Sequence, residues 1–253
     1  MMQSFSVDAL TVEIYPSAAA LSEAAADQVL KMLQPIVAVR LATVVFATGR
    51  SPLGLLQQLR DRVSALDWSR VIGLHLDEYL DIDPSHAASF QHYLQEQVAT
   101  ALPLHAFHYL NSQALEPIKE CNRYADLLDA HPPDLCLLGV GNNGHLAFND
   151  PAVANIHDRY PVKLVRLDPS NRQQQLSSGT FTHLEQVPGY AYTLTLPTIF
   201  SAQHRLCLAL GEGKAPIIRQ LLRGEIGPAC PASFLRTQVR SCLLLDAAAA
   251  SAL

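Results

Sequence analysis

Short apolar stretches alternate along the chain with longer segments in which apolar residues recur every three or four positions. The short stretches are typical of buried strands, and the recurring spacing is typical of amphipathic helices. The pattern predicts strands over 42–47, 71–76, 134–140, 162–167, 205–210 and 240–245. It predicts helices over 18–33, 53–63, 89–98, 116–130 and 214–223.

Strands that are apolar at successive positions and separated by helices indicate an α/β fold. Such a strand is buried on both faces, which requires helices on both sides of the sheet. We therefore predict one Rossmann-like domain over residues 1–253, with a mostly parallel sheet covered by helices on both faces. We also expect a mobile lid at about 160–185 and a frayed Ala-rich tail from Ala247 to Leu253.

The composition is that of a folded globular protein. Of the 253 residues, 49% are hydrophobic and 16% are charged, and the formal net charge is −5. The chain has no dense basic run, which argues against a nucleic-acid surface, and no apolar stretch long enough for a membrane span. No basic segment precedes a long apolar run at the N-terminus, so we expect no signal peptide and a cytoplasmic location.

The five cysteines indicate neither a metal site nor a disulfide framework. Their number is odd, and no pair has the CxxC spacing of a zinc site. Cys136 and Cys207 lie in apolar runs, so we expect them to be buried as small hydrophobic residues.

The segment Thr48-Gly49-Arg50-Ser51-Pro52 joins the first predicted strand to a helix. Glycine lets the backbone approach a ligand closely, and Ser51 could cap the helix with Pro52 at its first position. The exposed amides at a helix start favour an anion such as phosphate. The alternative is an ordinary capped turn, because this segment is not a Walker loop.

Two adjacent carboxylates, Asp77 and Glu78, follow the second predicted strand. A carboxylate at the mouth of a covered sheet is partly desolvated, which raises its basicity toward what proton abstraction needs. The alternative is a solvated loop acid or a helix cap.

A glycine- and asparagine-rich string, GVGNNGHLAFNDP, covers Gly139–Pro151 after the third predicted strand. Its glycines and asparagines allow tight, left-handed turns. His145 lies among them, and Asp150 could orient its imidazole and support the charged form. A structural or surface role is the alternative for a lone histidine, and we assign that role to His75, His92 and His204.

Together these segments resemble the glucosamine-6-phosphate deaminase family, also known as glucosamine-6-phosphate isomerases. The matching motifs are ATGRSP, LDEY and LGVGNNGHLAFNDP, in that order, with weaker matches at Asn171-Arg172 and Gly211–Lys214. The resemblance extends over about Val44 to Leu245. It implies an enzyme that converts glucosamine 6-phosphate and water to fructose 6-phosphate and ammonia by aldose–ketose isomerisation, with no metal or organic cofactor.

The resemblance also implies a role for each candidate residue. Asp77 is the base that removes the proton from C2 and returns it to C1, and His145 opens the pyranose ring. Asp150 and Asn143 hold that histidine. Arg172 and Lys214 lie far apart in sequence, but they should face one cleft together with the loop around Ser51. The residues expected to bind the substrate phosphate are Thr48, Gly49, Arg50, Ser51, Arg172 and Lys214.

The chain departs from the family pattern at several positions. The best-known members carry glutamate where this chain has Asp150, so we expect the shorter side chain to lose its contact with His145 or to make it through water. Arg50 stands where a small residue is usual, and we expect it to add a phosphate contact. Lys163 matches an allosteric lysine, but the nearby arginine aligns with Pro161, which argues against activation by N-acetylglucosamine 6-phosphate.

Three alternative functions stay open. Galactosamine-6-phosphate deamination differs only at C4, and the sequence does not settle the epimer. A 6-phosphogluconolactonase shares the fold and a similar GxGxxGH string, but its carboxylate motif is DER rather than DEY. A non-catalytic sugar-phosphate sensor has no reason to hold Asp77 and His145 together. The expected partner is a small phosphorylated sugar, and we expect a monomer or a small homo-oligomer.

Overall fold

The computed structural model describes residues 3–177, 179 and 181–253, whose strands form two sheets. The strands are β1 Gln3–Val7, β2 Leu10–Tyr15, β3 Ala42–Phe46, β4 Val71–His75, β5 Asp77–Tyr79, β6 Ala106–His108, β7 Leu135–Gly139, β8 Val162–Arg166, β9 Tyr190–Leu194, β10 His204–Ala209 and β11 Ser241–Asp246. The α-helices are α1 Ala18–Val37, α2 Arg50–Asp61, α3 Phe90–Leu94, α4 Pro117–Ala130, α5 Pro169–Ser177, α6 Leu196–Ser201 and α7 Ala215–Arg223.

The larger sheet has the strand order β1-β2-β11-β10-β7-β3-β4-β6. Every described pair in it is parallel except β1 with β2. The six predicted strands correspond to β3, β4, β7, β8, β10 and β11, each end within one residue of its prediction. The mostly parallel α/β fold is therefore confirmed.

Helices cover both faces of the larger sheet. In β3, Val44 and Phe46 pack into a core that includes residues of α1 and α2, whereas Val45 packs into the opposite core with residues of α4 and α7. Because successive residues of a strand point to opposite faces, a strand with a core on each side is apolar throughout. This two-sided burial explains why β3 and its parallel neighbours are apolar at successive positions, whereas β8 of the smaller sheet alternates (VKLVR).

A small antiparallel sheet, β5-β9-β8, lies apart from the larger one, and the hydrophobic pattern predicts β8 but neither β5 nor β9. Asp77 and Glu78 do not simply end the second strand, because they begin a new three-residue strand whose partner is β9. The aromatic side chains of Tyr79, Phe148 and Phe181 pack in a third core beside this sheet. The sheet therefore gives Asp77 a fixed backbone next to the edge where the parallel strands end.

The C-terminal tail packs against the fold, so the expectation that it frays is wrong. Ala249 is fully buried, and its amide donates to the Asp246 carboxylate at 2.8 Å. Arg219 and Arg223 of α7 donate to the carbonyl oxygens of Ala252 and Leu253. These contacts supply the partners that a free chain end would otherwise find in water.

The segment predicted as a lid contains β8, paired in register with β9, followed by α5. The buried positions of Cys136 and Cys207 match their prediction as small hydrophobic residues, and both thiols are free. In the part of the chain that the structure describes, no helix has the length and apolar character needed to cross a membrane.

Candidate active site

A cavity of about 650 Å³ opens beyond the carboxyl ends of β3, β4 and β7. In a parallel sheet this edge is where ligands bind. The cavity brings together most of the predicted site, which is drawn from four separate parts of the chain: Thr48, Gly49, Arg50, Ser51, Asp77, His145 and Lys214. Its other polar lining residues include Ser89, Tyr93 and Gln175.

Asp77 lies at the start of β5 and is only 7% exposed. Burial raises its pKa well above the ordinary range for aspartate, and the neighbouring Glu78 carboxylate raises it further. Both effects disfavour the charged form and therefore make the ionised carboxylate a stronger base. Asp77 is thus a desolvated carboxylate that faces a cavity, as a proton-abstracting group requires.

His145 is held through one ring nitrogen. Its Nδ1 lies 2.8 Å from Asn143 Oδ1 and 3.0 Å from Asp150 Oδ1. Asn143 also donates from Nδ2 to Asp150 Oδ1 at 2.8 Å, so the three side chains form one connected group. Two acceptors at Nδ1 favour the tautomer protonated there, which leaves Nε2 to accept a proton.

The expectation that Asp150 loses direct contact with His145 is wrong. The turn after the histidine is closed by a backbone bridge between Leu146 and Asn149, and the Asn149 side chain donates to Leu146 O and Leu194 O. This turn brings the Asp150 carboxylate back within hydrogen-bond distance of the imidazole. At 2% exposed, Asp150 is also shielded from water, which strengthens its interaction with a charged imidazole.

We expect Asp150→Asn to lower kcat on a pyranose substrate about 10- to 100-fold, because a hydrogen bond to a charged group contributes about 1.5–3 kcal/mol. Asp150→Glu should also slow the reaction, since the buried site already holds the shorter side chain in contact. Steady-state kinetics across pH measures both effects. If both variants keep wild-type rates and pH profiles, Asp150 is structural and another group orients His145.

Gly141 provides the space in which the imidazole lies. A Cβ at this position would lie 2.2 Å from Cε1 and Nε2 of His145. Both ring atoms would have to move, so any larger residue displaces the histidine from its place against Asn143 and Asp150. The glycine-rich string therefore lets the backbone pack closely against the His145 ring, in addition to forming the turn.

The loop before α2 differs from its prediction in one respect. Gly49, with a φ of 104°, is the residue before the helix, and Ser51 lies inside the first turn without a side-chain cap. Glycine adopts a positive φ without the strain that other residues meet there. The expectation that Ser51 caps the helix and Pro52 comes first is therefore wrong, while the unpaired amides of the first turn still favour an anion.

Lys214 and Arg50 both line the cavity. The Lys214 ammonium donates to Asn142 Oδ1 at 2.6 Å, and burial lowers the pKa of this lysine. Tyr93 donates from its hydroxyl to Gly49 O at 3.0 Å and so connects the cavity wall to the loop. Two cationic side chains and the start of α2 therefore line the same cavity.

Arg172 does not line the cavity with Lys214, so their predicted convergence is not found. Its Nη2 donates to the carbonyl oxygens of Leu184 and Val187, at 2.6 and 2.8 Å. The guanidinium supplies hydrogen-bond donors to the carbonyl oxygens of a turn that packs against α5. Gln175, which is on the same helix as Arg172, lines the cavity. The side chain of Asn171 lies outside the described residues.

Phe90, Tyr93, Phe148 and Gln175 also line the cavity, and the residue patterns in the sequence do not single them out. Phe148 lies inside the glycine-rich string, so proximity to His145 was the available signal. Tyr93 and Phe90 lie in a predicted helix whose cavity-facing side depends on its packing. Among the described residues, no three or more His, Cys, Asp or Glu side chains form a group that could hold a metal ion.

Comparison with known proteins places the chain in a family. The sequence profile for "Glucosamine-6-phosphate isomerases/6-phosphogluconolactonase" matches residues 16–244. Glucosamine-6-phosphate deaminases of Bacillus cereus and Bacillus cytotoxicus are each 36% identical over 209 residues, which is 83% of this chain and 77% of theirs.

Solved structures show the same relationship. A monomeric glucosamine-6-phosphate deaminase superposes with a TM-score of 0.85 at 29% identity, covering 96% of this chain and 99% of its own. A 6-phosphogluconolactonase from Shewanella baltica superposes with a TM-score of 0.77 at 22% identity, covering 96% of this chain and 100% of its own, and shares the fold. On these matches, the chain belongs to the glucosamine-6-phosphate isomerase/6-phosphogluconolactonase family.

Proposed function

We propose that this protein is a glucosamine-6-phosphate deaminase, which converts glucosamine 6-phosphate and water to fructose 6-phosphate and ammonia. The observation that carries the proposal is one cavity that holds a desolvated carboxylate, Asp77, and a histidine fixed by Asn143 and Asp150. Its relatives with that name are 36% identical over most of the chain.

Ring opening is the step that His145 performs. With Nδ1 held by two oxygens, Nε2 accepts the proton of the anomeric hydroxyl and returns it to the ring oxygen as the C1–O5 bond breaks. The buried Asp150 carboxylate stabilises the imidazolium that forms between the two transfers. The product is the open-chain aldehyde, with an amino group at C2.

Isomerisation is the step that Asp77 performs. Its carboxylate removes the proton from C2, the electron pair of that bond forms the C1–C2 double bond of an enolamine, and the π pair of the aldehyde carbonyl moves to O1. The carboxylic acid then returns the proton to C1 as the nitrogen lone pair forms the C2–N double bond, and one proton passes from nitrogen to O1, which leaves an imine at C2 and a hydroxyl at C1. Water adds to the imine carbon and ammonia leaves, so that fructose 6-phosphate is the product. Burial of Asp77 makes it basic enough for the first transfer.

The substrate phosphate is bound by the start of α2, with Arg50 and Lys214 beside it. Backbone amides at a helix start attract an anion, and the two cations supply charge that this acidic protein lacks elsewhere in the cavity. For Arg172 to join them, its guanidinium has to leave the carbonyl oxygens of Leu184 and Val187. While those two hydrogen bonds persist, Arg172 holds the chain around α5.

We expect Lys214→Ala to raise KM for the phosphorylated sugar about 10- to 100-fold, with a smaller change in kcat, because a charged hydrogen bond to phosphate is lost. Lys31→Ala, which removes an exposed lysine from α1, is the matched control. Initial-rate kinetics and direct binding of the sugar phosphate measure the effect. An unchanged KM together with an unchanged dissociation constant would exclude Lys214 from the phosphate site.

Tyr79 argues against the lactonase alternative. Where lactonases carry the arginine of DER, this chain has a fully buried tyrosine whose ring packs against Phe90, Phe148 and Phe181. A buried tyrosine cannot supply the positive charge that an arginine at this position would bring to the cavity.

We expect the enzyme to act in the reducing cytoplasm, where its five free thiols persist.

Ammonia release tests the function. Purified protein is incubated with glucosamine 6-phosphate, galactosamine 6-phosphate and 6-phosphogluconolactone, and ammonia and lactone hydrolysis are followed in parallel. We expect ammonia from glucosamine 6-phosphate at the highest kcat/KM. Preference for the galacto epimer would correct the substrate, and lactone hydrolysis without ammonia release would refute the proposal.

A further inference from the structure

Glu78, the neighbour of the proposed base, has a buried carboxylate that the reaction itself does not use. It is fully buried and does not line the cavity, whereas Asp77 does. Successive residues of a strand point to opposite faces, so the two carboxylates of β5 serve different surroundings. Burying a carboxylate costs free energy unless protein donors replace the water molecules that it loses. The donors around Glu78 therefore show which part of the chain this carboxylate holds in place.

Four donors surround the Glu78 carboxylate. The amides of Tyr79 and Phe90 donate to Oε1 at 2.9 and 3.1 Å. The amide of Gln91 and the hydroxyl of Ser89 donate to Oε2 at 2.7 and 2.9 Å. Three of these donors are backbone N–H groups that cannot accept a proton in return. Burial raises the pKa of Glu78, but all four hydrogen bonds oppose that rise, and the site matches an ionised carboxylate that accepts at both oxygens.

Three of the four donors belong to the start of α3, and this part of the chain is also a wall of the cavity. Ala88, Ser89 and Phe90 line the cavity, as does Tyr93 one turn further along. Tyr93 in turn donates to Gly49 O, in the loop proposed to bind phosphate. One carboxylate on the strand of Asp77 thus anchors a wall that reaches the phosphate loop.

We propose that Glu78 is a positioning residue for the deamination proposed above: it fixes the start of α3, and through it the cavity wall and the phosphate loop, relative to Asp77. The inference rests on the proposed function for its catalytic consequence, while the anchoring itself rests on the four contacts alone. A wall held in this way keeps the sugar at the distance and angle that proton transfer from C2 requires.

A second consequence follows from the charge of Glu78. The titratable groups around Asp77 are Glu78 and Tyr79 on its own strand, Cys136 on β7, and His145 and Lys214 in the cavity lining. Burial raises the pKa of both Tyr79 and Cys136, which keeps the phenol and the thiol neutral. Of these groups, the Glu78 carboxylate is the one whose negative charge raises the pKa of Asp77.

Glu78→Gln tests the proposal, because it keeps the length of the side chain and replaces one acceptor oxygen by an NH₂ group. In either orientation that group faces at least one backbone N–H of Tyr79, Phe90 or Gln91. Glu116→Gln, an exposed glutamate at the start of α4, is the matched control. Three quantities are measured: kcat/KM for glucosamine 6-phosphate across pH, hydrogen exchange of the Phe90 and Gln91 amides, and the melting temperature.

The expected result for folded Glu78→Gln is a kcat/KM lowered about 10- to 100-fold, in the range that misplacement of a substrate by about 1 Å produces. The two amides should exchange faster than in wild type, and the acidic limb of the pH profile should move to lower pH as Asp77 loses a negative neighbour. Wild-type exchange with wild-type kcat/KM would overturn the proposal. Faster exchange with unchanged kcat/KM would overturn it as well, since the anchor would then be structural only.

A milder variant keeps the test decisive if Glu78→Gln does not fold. Ser89→Ala removes one of the four donors and leaves the three amides in place. We expect faster exchange at Phe90 and Gln91 and a kcat/KM lowered by less than in Glu78→Gln, and wild-type values of both would overturn the proposal. Wild-type protein that releases no ammonia would refute the proposed function, and the exchange comparison would still decide whether Glu78 holds the wall.

Discussion

Asp77→Asn should fold as wild type does and lose about 10⁴-fold in kcat on glucosamine 6-phosphate, the upper end of what a general base contributes. The amide keeps the shape of the side chain but cannot accept the C2 proton. The backbone pairing of Asp77 with Thr193 of β9 does not depend on the carboxylate, so the strand should remain in place. Stopped-time assays of fructose 6-phosphate and ammonia measure the loss.

The pH profile provides a second measurement of the same role. Asp77 acts as a base only when it is deprotonated, and burial beside Glu78 raises its pKa well above the ordinary range for aspartate. Activity should therefore fall as pH drops through that raised pKa, at a higher pH than an exposed aspartate would give. Asp61→Asn, which changes an exposed carboxylate of α2, should leave rate and profile unchanged. If Asp77→Asn still exchanges the C2 proton with solvent at the wild-type rate, Asp77 is not the base.

His145→Gln should lower kcat on the closed pyranose about 10²–10⁴-fold, since a positioned acid–base group is lost from ring opening. An open-chain analogue should be turned over at close to the wild-type rate, because only Asp77 is needed once the ring is open. Glutamine approximates the imidazole in size, and we expect it to keep contact with Asn143 and Asp150, so the turn should persist. The ratio of the two substrates' rates isolates the role of His145 from any general loss of structure.

His157→Gln is the matched control, because this histidine is exposed and lies outside the cavity lining. It should leave the ratio of pyranose to open-chain rates unchanged. If His145→Gln slows both substrates equally, the histidine serves the isomerisation or the fold, and ring opening belongs to another group.

Much of this molecule could be predicted from local sequence because the fold is a parallel sheet with two covered faces. That burial makes strands such as β3 and β7 apolar at nearly every position, a pattern that partly exposed strands do not produce. The same topology requires that polar residues directly after these strands meet at one edge. Asp77 and His145, which lie far apart along the chain, could therefore be assigned to one cavity from the sequence alone.

What could not be predicted depends on contacts between distant segments. The strand β5 is three residues long and exists because β9 pairs with it, so the local sequence places Asp77 at the end of the preceding strand. The contact between Asp150 and His145 depends on a turn in which the Asn149 side chain donates to Leu194 O, and the length of the Asp150 side chain alone does not predict it. The orientation of Arg172 depends on carbonyl oxygens 12 and 15 residues further along the chain.

The central claim, that this protein deaminates glucosamine 6-phosphate, is tested most directly by NMR of substrate enriched with ¹³C at C2. Turnover should convert the amine-bearing carbon into the ketose carbon of fructose 6-phosphate, with one ammonium ion released for each molecule formed, and Asp77→Asn protein serves as the blank. A substrate signal that stays unchanged with wild-type protein, or ammonium that appears equally with the Asp77→Asn blank, would contradict the claim.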